Sequence, residues 1–210
     1  YAWSPATGLS STTISNPVAT VNAPTVYKVV VTDAIGCSDS NTVMLTPIPP
    51  PLVSAGADQG TCPGQPVQIG GAPTASAGSP PYTYVWSPAT GLSSTTVPNP
   101  IASPTTTTSY VVAVTDIAGC VVRDTVVVTA YPPMTVNAGS PTNLCLGNNT
   151  VLGGVPTVVG GTGPYTYLWS PASGLSSPTS PNPVATPTVT TNYQLIVVDQ
   201  TGCRDTATVL

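Results

Sequence analysis

The sequence predicts an all-β protein made of tandem sandwich domains, and three observations lead to this fold class. First, one phrase recurs in a fixed register: "YAWSPATGLSSTT" begins at Tyr1, "YVWSPATGLSSTT" at Tyr84 and "YLWSPASGLSSPT" at Tyr167. Second, segments rich in Val and Thr alternate between apolar and polar side chains, which is typical of strands. Third, the best helix formers are scarce, because only 5% of the residues are charged and neither Glu nor His is present.

The recurring phrase is part of a repeat of 83 residues, the spacing between the tryptophans at positions 3, 86 and 169. Three further sets of residues keep this interval: Tyr27, Tyr110 and Tyr193; Asp33, Asp116 and Asp199; Cys37, Cys120 and Cys203. A unit of about 80 residues is longer than a solenoid turn or a propeller blade and matches a small β-domain. The sequence therefore predicts one domain for each repeat.

Two Pro-rich runs predict the domain boundaries. They span Thr46 to Val53 and Ala130 to Val136, and proline stiffens such short linkers into an extended form. The runs divide the chain into a first repeat (1–47) that lacks its N-terminal strands, a second repeat (48–130), and a third repeat (131–210) whose last strand is cut short. We expect the chain to be a segment of a longer repetitive polypeptide.

The segment "SYVVAVTDIAGC", which begins at Ser109, predicts a strand followed by a turn. Tyr110, Val112 and Val114 share one face of this strand, and the same face is apolar in the other two repeats, so we expect it to form the core. The Asp-x-x-Gly sequence is a turn signal, and "DTVVVT" from Asp124 follows it. The pair of strands is therefore predicted to be a hairpin that closes the domain.

The aromatic residues narrow the fold class further. In "YTYVW", Tyr82, Tyr84 and Trp86 lie on one side of a strand. A Trp on a mid-domain strand and a Tyr that opens a later strand resemble the buried Trp and the tyrosine corner of immunoglobulin-like sandwiches. The sequence thus predicts tandem immunoglobulin-like sandwiches joined by short Pro-rich linkers. The predicted core residues are Trp3, Trp86, Trp169, Tyr27, Tyr110, Tyr193 and Leu92.

The recurring phrase itself has two interpretations. In "SPATGLSS", a Pro and a Gly suit tight turns, and Leu92 is the one large apolar side chain that could reach the core. A shared fold requirement accounts for the repetition, and we favour this interpretation. The alternative is a recognition loop, since loops carry many binding sites.

The five cysteines predict disulfides with two open connectivities. Pairing within each domain gives Cys62 with Cys120 and Cys145 with Cys203, and leaves Cys37 for a partner upstream. Pairing between domains gives Cys37 with Cys62 and Cys120 with Cys145, and leaves Cys203 for a later repeat. We favour the first, because a cysteine after the closing hairpin turn is expected to lie far from the next domain's early loop. Both indicate an oxidising, extracellular location.

Composition argues against several classes of function. Without His or Glu, the isolated Asp, Ser and Thr residues lack an activating base, so we predict no enzyme activity. A net charge of −4 with only three bases disfavours nucleic acid as a partner, and no apolar run is long enough to insert in a membrane. Cys-x-x-Cys pairs are missing, which disfavours zinc.

No cofactor is predicted, and two weaker candidate sites are a calcium site and a sugar-binding surface. Asp33, Asp116 and Asp199, together with Asp58, could give oxygen ligands to calcium, although an Asp that binds its own turn is the more common case. The Tyr and Trp side chains could stack on sugars, although such alternating aromatics more often form a core.

The succession "SAGADQGTCPGQPVQIGG", "YTYVWSPATGLSS", "NPIASPTTTTSYVVAVTDIAGC", "DTVVVT" resembles the PKD-like, immunoglobulin-like repeats of Bacteroidota surface proteins exported by the type IX secretion system, among them gliding adhesins. The resemblance covers both nearly complete repeats and the partial one. It implies a long stalk on a bacterial cell surface, with neighbouring repeats, surface polysaccharide or the outer-membrane motility and secretion machinery as partners. It also implies O-glycosylation at Asp-Ser/Thr-apolar motifs, which Thr125 and Thr206 match.

Three functions follow as expectations. The first is the structural stalk of a large repetitive adhesin, for gliding or surface attachment. The second is a carbohydrate-binding or spacer module of a secreted polysaccharide-degrading enzyme. The third is a self-assembling extracellular filament.

Overall fold

The computed structural model describes residues 1–210 and contains strands but no helix, which confirms the all-β fold class. The first repeat forms one antiparallel sheet in the order β1-β2-β3. Its strands are β1 (Ala2–Ser4), β2 (Thr25–Thr32) and β3 (Ser38–Leu45). No second sheet faces this one within the first repeat.

The second repeat contains a four-stranded sheet in the order β5-β11-β10-β8 and two short strand pairs, β4-β7 and β6-β9. Its strands are β4 (Leu52–Val53), β5 (Gln59–Thr61), β6 (Val67–Gln68), β7 (Ala75–Ser76), β8 (Thr83–Ser87), β9 (Ile101–Ala102), β10 (Thr108–Thr115) and β11 (Val121–Ala130). The pairing of β5 with β11 is parallel, whereas the others are antiparallel.

The third repeat follows the same plan without a counterpart of β5, with a sheet in the order β15-β17-β18 and the pairs β12-β14 and β13-β16. Its strands are β12 (Met134–Val136), β13 (Thr150–Val151), β14 (Val158–Gly160), β15 (Thr166–Ser170), β16 (Val184–Ala185), β17 (Tyr193–Val198) and β18 (Arg204–Val209). In both repeats the main sheet and the short pairs enclose the apolar side chains, which is the immunoglobulin-like sandwich that the sequence predicts.

Alternation along β10 builds the core of the second repeat. Tyr110, Val112 and Val114 are fully buried, and they pack with Trp86 of β8 and Val126 of β11. The opposite face of β10 is half-buried. The predicted apolar face is therefore the core face.

The third repeat has an equivalent core around Trp169, Tyr193, Leu195 and Val197. In the first repeat the same face is more open: Tyr27 is buried, but Val29 is half-buried and Val31 is exposed. The difference follows from the single sheet, because no second layer covers its far end.

The predicted closing hairpin is present in all three repeats. Strands β10 and β11 pair from Thr115 opposite Val121 to Thr108 opposite Val128, and the turn between them contains Asp116 and Cys120. This turn lies at one end of the repeat. The ten-residue strand β11 then runs the length of the repeat to the Pro-rich linker at its other end.

Candidate functional site: the junction between the second and third repeats

A disulfide between Cys62 and Cys203 joins the second repeat to the third. Its Cα atoms lie 5.6 Å apart, and 141 positions separate the two residues in sequence. No backbone hydrogen bond joins residues 48–130 directly to residues 134–210. The junction therefore has two covalent connections, which are the linker at residues 131–133 and the disulfide.

Cys62 is held at the junction end of the second repeat by the strand before it. Because β5 is parallel to β11, Thr61 lies beside Ala130 at the end of that strand, and its carbonyl oxygen accepts a hydrogen bond of 2.9 Å from the Tyr131 amide. A turn follows at once: the Gln65 amide donates to the Cys62 carbonyl at 2.9 Å, and Gly64 has φ +76°. Gly64 supplies the positive φ that a type II turn requires at its third residue, and Pro63 is a common second residue of such a turn.

Cys203 is held by the turn between β17 and β18. Oδ1 of Asp199 accepts hydrogen bonds from the Thr201 amide (2.9 Å), the Thr201 hydroxyl (2.7 Å) and the Cys203 amide (3.0 Å). Oδ2 accepts from the Thr162 amide at 2.9 Å. Asp199 and Cys203 are both buried, so this one carboxylate fixes the position from which the sulfur of Cys203 reaches the second repeat.

The same contacts set the charge state of Asp199. Burial raises the pKa of its carboxyl, but the hydrogen bonds from the Thr201 hydroxyl and from the amides of Thr162, Cys203 and Thr201 favour the ionised form and outweigh burial. The net pKa lies below the ordinary value of 3.8. Asp199 is therefore a carboxylate at neutral pH and needs no cation beside it.

The first and second repeats contain the same turn. The amide of Cys120 donates to Asp116 at 2.9 Å, and the amide of Cys37 donates to Asp33 at 2.9 Å. Cys37 is an exposed free thiol and Cys120 a half-buried one. Cys145, which stands one repeat after Cys62, is also free and exposed. All three thus occupy positions whose counterparts form the disulfide.

The observed disulfide replaces the pairing that the sequence favoured. Cys62 with Cys120 is not formed, because Cys62 follows the strand beside the end of β11 whereas Cys120 precedes its start. Ten residues of strand separate the two by about 33 Å, far beyond the Cα distance of about 4–7 Å that a disulfide allows. Cys145 and Cys203 are separated by β18 in the same way, since the Thr142 amide donates to the carbonyl of Leu210.

The alternative pairing is not formed either. Cys37 lies at the turn end of the first repeat and Cys62 at the linker end of the second, so two repeats lie between them. Cys120 and Cys145 are related in the same manner. Sequence reasoning correctly placed the hairpin cysteine far from the next domain, but it missed the parallel strand that carries Cys62 towards that domain.

The recurring phrase folds back on the core aromatics of its own repeat. The hydroxyl of Tyr110 donates to the Thr90 carbonyl at 2.9 Å, and the indole N–H of Trp86 donates to the Val97 carbonyl at 3.0 Å. Leu92 forms a β-bridge with Ala102 and packs against the core. The equivalent bonds in the first and third repeats are Tyr27 to Thr7, Trp3 to Ile14, Tyr193 to Ser173 and Trp169 to Ser180. The phrase and the residue directly after it thus accept hydrogen bonds from the Tyr and Trp side chains of the same repeat.

Burial of the aromatic side chains argues against their binding sugars. Trp86 and Trp169 are only 2% and 1% exposed, so their rings offer no face to a polysaccharide. Trp3 and Leu92, both expected in the core, are half-buried. Tyr82 and Tyr84 are half-buried as well, and the Tyr82 hydroxyl already donates to the Ala77 carbonyl.

The four Asp residues considered for calcium do not come together. Asp58 accepts a bond from the Val127 amide at 2.8 Å near the linker end of the second repeat, while Asp116 lies at the turn end. No group of three or more His, Cys, Asp or Glu residues is placed to hold a metal ion. Asp33, Asp116 and Asp199 instead accept hydrogen bonds from their own turns.

The two threonines of the glycosylation motif have exposed side chains, Thr125 on β11 and Thr206 on β18. The preceding aspartates are half-buried and link the last strand of each repeat to its first segment: Asp124 accepts from the Ala55 amide at 2.8 Å and Asp205 from the Val136 amide at 3.0 Å. Glycosylation at these sites stays a prediction.

No family model and no curated protein matches this chain. Among solved structures, it is similar to the N-terminal eight Ig domains of Down Syndrome Cell Adhesion Molecule, with 15% identity, a TM-score of 0.48, and coverage of 91% of this chain and 32% of that one. A 282-residue C-terminal intimin fragment bound to the translocated intimin receptor gives 15% identity, a TM-score of 0.35, and coverage of 87% and 56%. The human desmocollin-1 ectodomain gives 11% identity and a TM-score of 0.31, with coverage of 90% of this chain and 43% of that one.

This chain thus spans about a third of the Down Syndrome Cell Adhesion Molecule fragment and about half of the other two. At these identities the likeness concerns the fold alone. The structure also holds no helix whose length and apolarity would let it cross a bilayer.

Proposed function

We propose that this chain is a segment of the structural stalk of a large repetitive adhesin on a bacterial cell surface. Each repeat acts as one domain, with boundaries near residues 47 and 130, and its neighbouring repeats are its main partners. The observation that carries the proposal is the Cys62–Cys203 disulfide, because it ties consecutive repeats rather than stabilising one domain. A covalent bond between consecutive repeats restricts their movement relative to each other, as a stalk requires.

The chemistry of the chain supports an extracellular location. Disulfides persist in oxidising compartments and are rare in the cytosol. With few charges on its surface, the chain is also little affected by changes in salt, since there is little for ions to screen. Both properties suit a structure that projects from a cell into a variable medium.

The resemblance to the PKD-like repeats of Bacteroidota surface proteins supports a bacterial origin and a role on the cell surface. It points to export by the type IX system and to a role in gliding or surface attachment, with outer-membrane machinery or surface polysaccharide as outside partners. We propose no enzyme activity, because the acidic side chains that the structure buries accept hydrogen bonds from backbone amides and have no base beside them.

The test uses the cells that make this protein. Antibodies against the 210-residue chain should label intact cells, and a tag placed outward of the repeats should move closer to the membrane when residues 48–130 are deleted in frame. One repeat should shorten the distance by about 30–40 Å, the length of a strand of roughly ten residues. Labelling that requires permeabilised cells, or a tag that does not move, would overturn the proposal.

A second candidate function, assembly into a filament, is favoured by one observation. Cys37 and Cys145 are exposed thiols in the positions of Cys203 and Cys62, so copies of the chain could join end to end in the same way. Each join would oxidise two thiols and reduce one molecule of a disulfide donor such as oxidised glutathione to two thiols. Sedimentation at rising concentration, with that donor added, tests this; a persistent monomer counts against it.

A further inference from the structure

We infer that the Cys62–Cys203 disulfide is a strain limiter: tension applied along the chain passes through this bond and bypasses the residues between the two cysteines. The inference rests on the proposed stalk for its biological role. The path of the force, however, is a property of this chain alone and can be measured without any cell.

The disulfide closes a long covalent loop. The two cysteines are 141 positions apart, so 140 residues, 63–202, lie in a closed loop between them. A pull on the two chain ends is carried from the N-terminal side to Cys62, across the sulfur atoms to Cys203, and then along β18. The loop contains most of both cores, including Trp86 and Trp169.

Within the two bonded repeats, the load-bearing path has little slack. The first repeat (1–47) lies outside the loop and is loaded equally with or without the bond. In the third repeat it follows β18, which is already an extended strand. In the second repeat it follows β4 and β5, which run from the first linker to the junction end. A strand rises about 3.3 Å per residue, close to the chain's limit of about 3.3–3.6 Å, so pulling adds little length even if the cores melt.

The disulfide keeps a large part of the chain from contributing to its extended length. Unfolding without the disulfide would release the 140 residues of the loop, which at about 3.4 Å each is an extra length of about 480 Å. Two folded repeats are about 60–80 Å long by the strand-length argument. The disulfide thus prevents a junction from lengthening several-fold under load.

The arrangement extends naturally to a longer array. Cys120 and Cys37 stand in the position of Cys203, and each donates its amide to the Asp of its own turn in the same way. Cys145 stands in the position of Cys62, and its carbonyl accepts from the Asn148 amide as that of Cys62 does from Gln65. If an equivalent disulfide formed at every junction, the tension would pass alternately along the last strand of one repeat and the first strands of the next. Such a stalk would transmit force with a nearly fixed length.

Single-molecule force spectroscopy tests the inference on the 210-residue chain. Handles are attached enzymatically at Tyr1 and Leu210, so that no thiol is used, and the fully extended length is measured with and without a reductant. We expect the reduced chain to extend further by about 480 Å. The double variant Cys62→Ser/Cys203→Ser should show the longer length under both conditions.

The matched control is the triple variant Cys37→Ser/Cys120→Ser/Cys145→Ser, which keeps the tie and should behave as the unmodified chain. Because the fully extended length does not depend on folding, a variant that folds poorly still reports. Equal lengths in oxidised and reduced chains would overturn the inference. A missing cell-surface label would count against the stalk and leave this measurement unchanged.

Discussion

Cys62 is bonded to Cys203 of the next repeat and lies a full strand length away from Cys120 of its own repeat. A disulfide within a small domain compensates for a small core, typically by about 2–4 kcal/mol. Here the second and third repeats each have an apolar core, and neither has an internal disulfide. The bond instead fixes one repeat to another, so its effect is on the junction.

We predict that a tryptic digest without reductant distinguishes the connectivities. Trypsin has three sites, Lys28, Arg123 and Arg204, so Cys62 falls in the peptide 29–123 and Cys203 in the peptide 124–204. With free thiols blocked and the chain denatured, these two peptides should stay joined and separate on reduction. Mass spectrometry gives the result directly.

Pairing within each repeat would leave the same two peptides separate without any reductant, because each would then hold its own disulfide. A bond from Cys120 to Cys145 would also join them, so variants are needed. Cys120→Ser should leave the peptides joined, and Cys62→Ser should release them.

Much of the fold could be predicted from the sequence because its signals are local. The alternation around Tyr110 reveals the core face, and Asp116 with Gly119 marks the turn. The disulfide could not be derived in this way, since it depends on whether β5 runs parallel or antiparallel to β11, and ladder direction has no local signal. Counting one strand length from Leu52 to Thr61 would have placed Cys62 at the far end of its repeat.

Exchange of Asp199 for Asn should destabilise the third repeat. The carboxylate accepts four hydrogen bonds, and an Asn amide would direct its own N–H group at backbone donors. Leaving buried donors unpaired costs about 1–3 kcal/mol. Chemical denaturation followed by the emission of Trp169, in a background without the other two tryptophans, measures the free energy of unfolding.

The matched control is Asp33→Asn, which alters the same turn where it is exposed in the first repeat. Water can replace the lost acceptor there, so we expect a change within about 0.5 kcal/mol, measured with Trp3 as the single tryptophan because it lies in the first repeat. Equal effects of the two exchanges would show that burial of Asp199 is unimportant.

The stability contributed by Asp199 should be lost in acid. The folded-state pKa of this carboxyl lies below its ordinary value of 3.8, so ionisation favours the folded protein. The contribution is complete above the ordinary value and falls as pH drops through the folded pKa. Unfolding of the natural chain and of Asp199→Asn, compared from pH 7 to about pH 2, should show a difference that is constant above about pH 5 and shrinks below about pH 4.

Tryptophan emission should separate a structural role of the aromatics from sugar binding. Trp86 and Trp169 are almost fully buried, whereas Trp3 is half-buried. We expect iodide to quench mainly Trp3, so Trp3→Phe should remove most of the quenchable signal. Added polysaccharides should leave the emission maximum unchanged. A saturable shift that persists in Trp3→Phe would instead support the carbohydrate-binding alternative.

Two glycines with the same backbone conformation should respond differently to Ala. Gly91 and Gly119 have φ of +77° and +84°, a region that costs a residue with a Cβ about 1–2 kcal/mol. A Cβ at Gly119 would meet nothing within 4 Å, but at Gly91 it would lie 3.1 Å from the Tyr110 hydroxyl and 3.2 Å from the Ser103 carbonyl oxygen. Gly91→Ala therefore carries the conformational cost and a steric one.

Gly91→Ala should lose more stability than Gly119→Ala, and the difference measures how tightly the recurring phrase packs against Tyr110. We expect this difference to be about 1 kcal/mol or more, because relieving the clash moves the Tyr110 hydroxyl and disturbs its hydrogen bond to Thr90. Thermal unfolding of the two variants, with Trp86 as the probe, gives the comparison. If both lose the same stability, the phrase is held loosely, and its repetition would need a reason other than the fold.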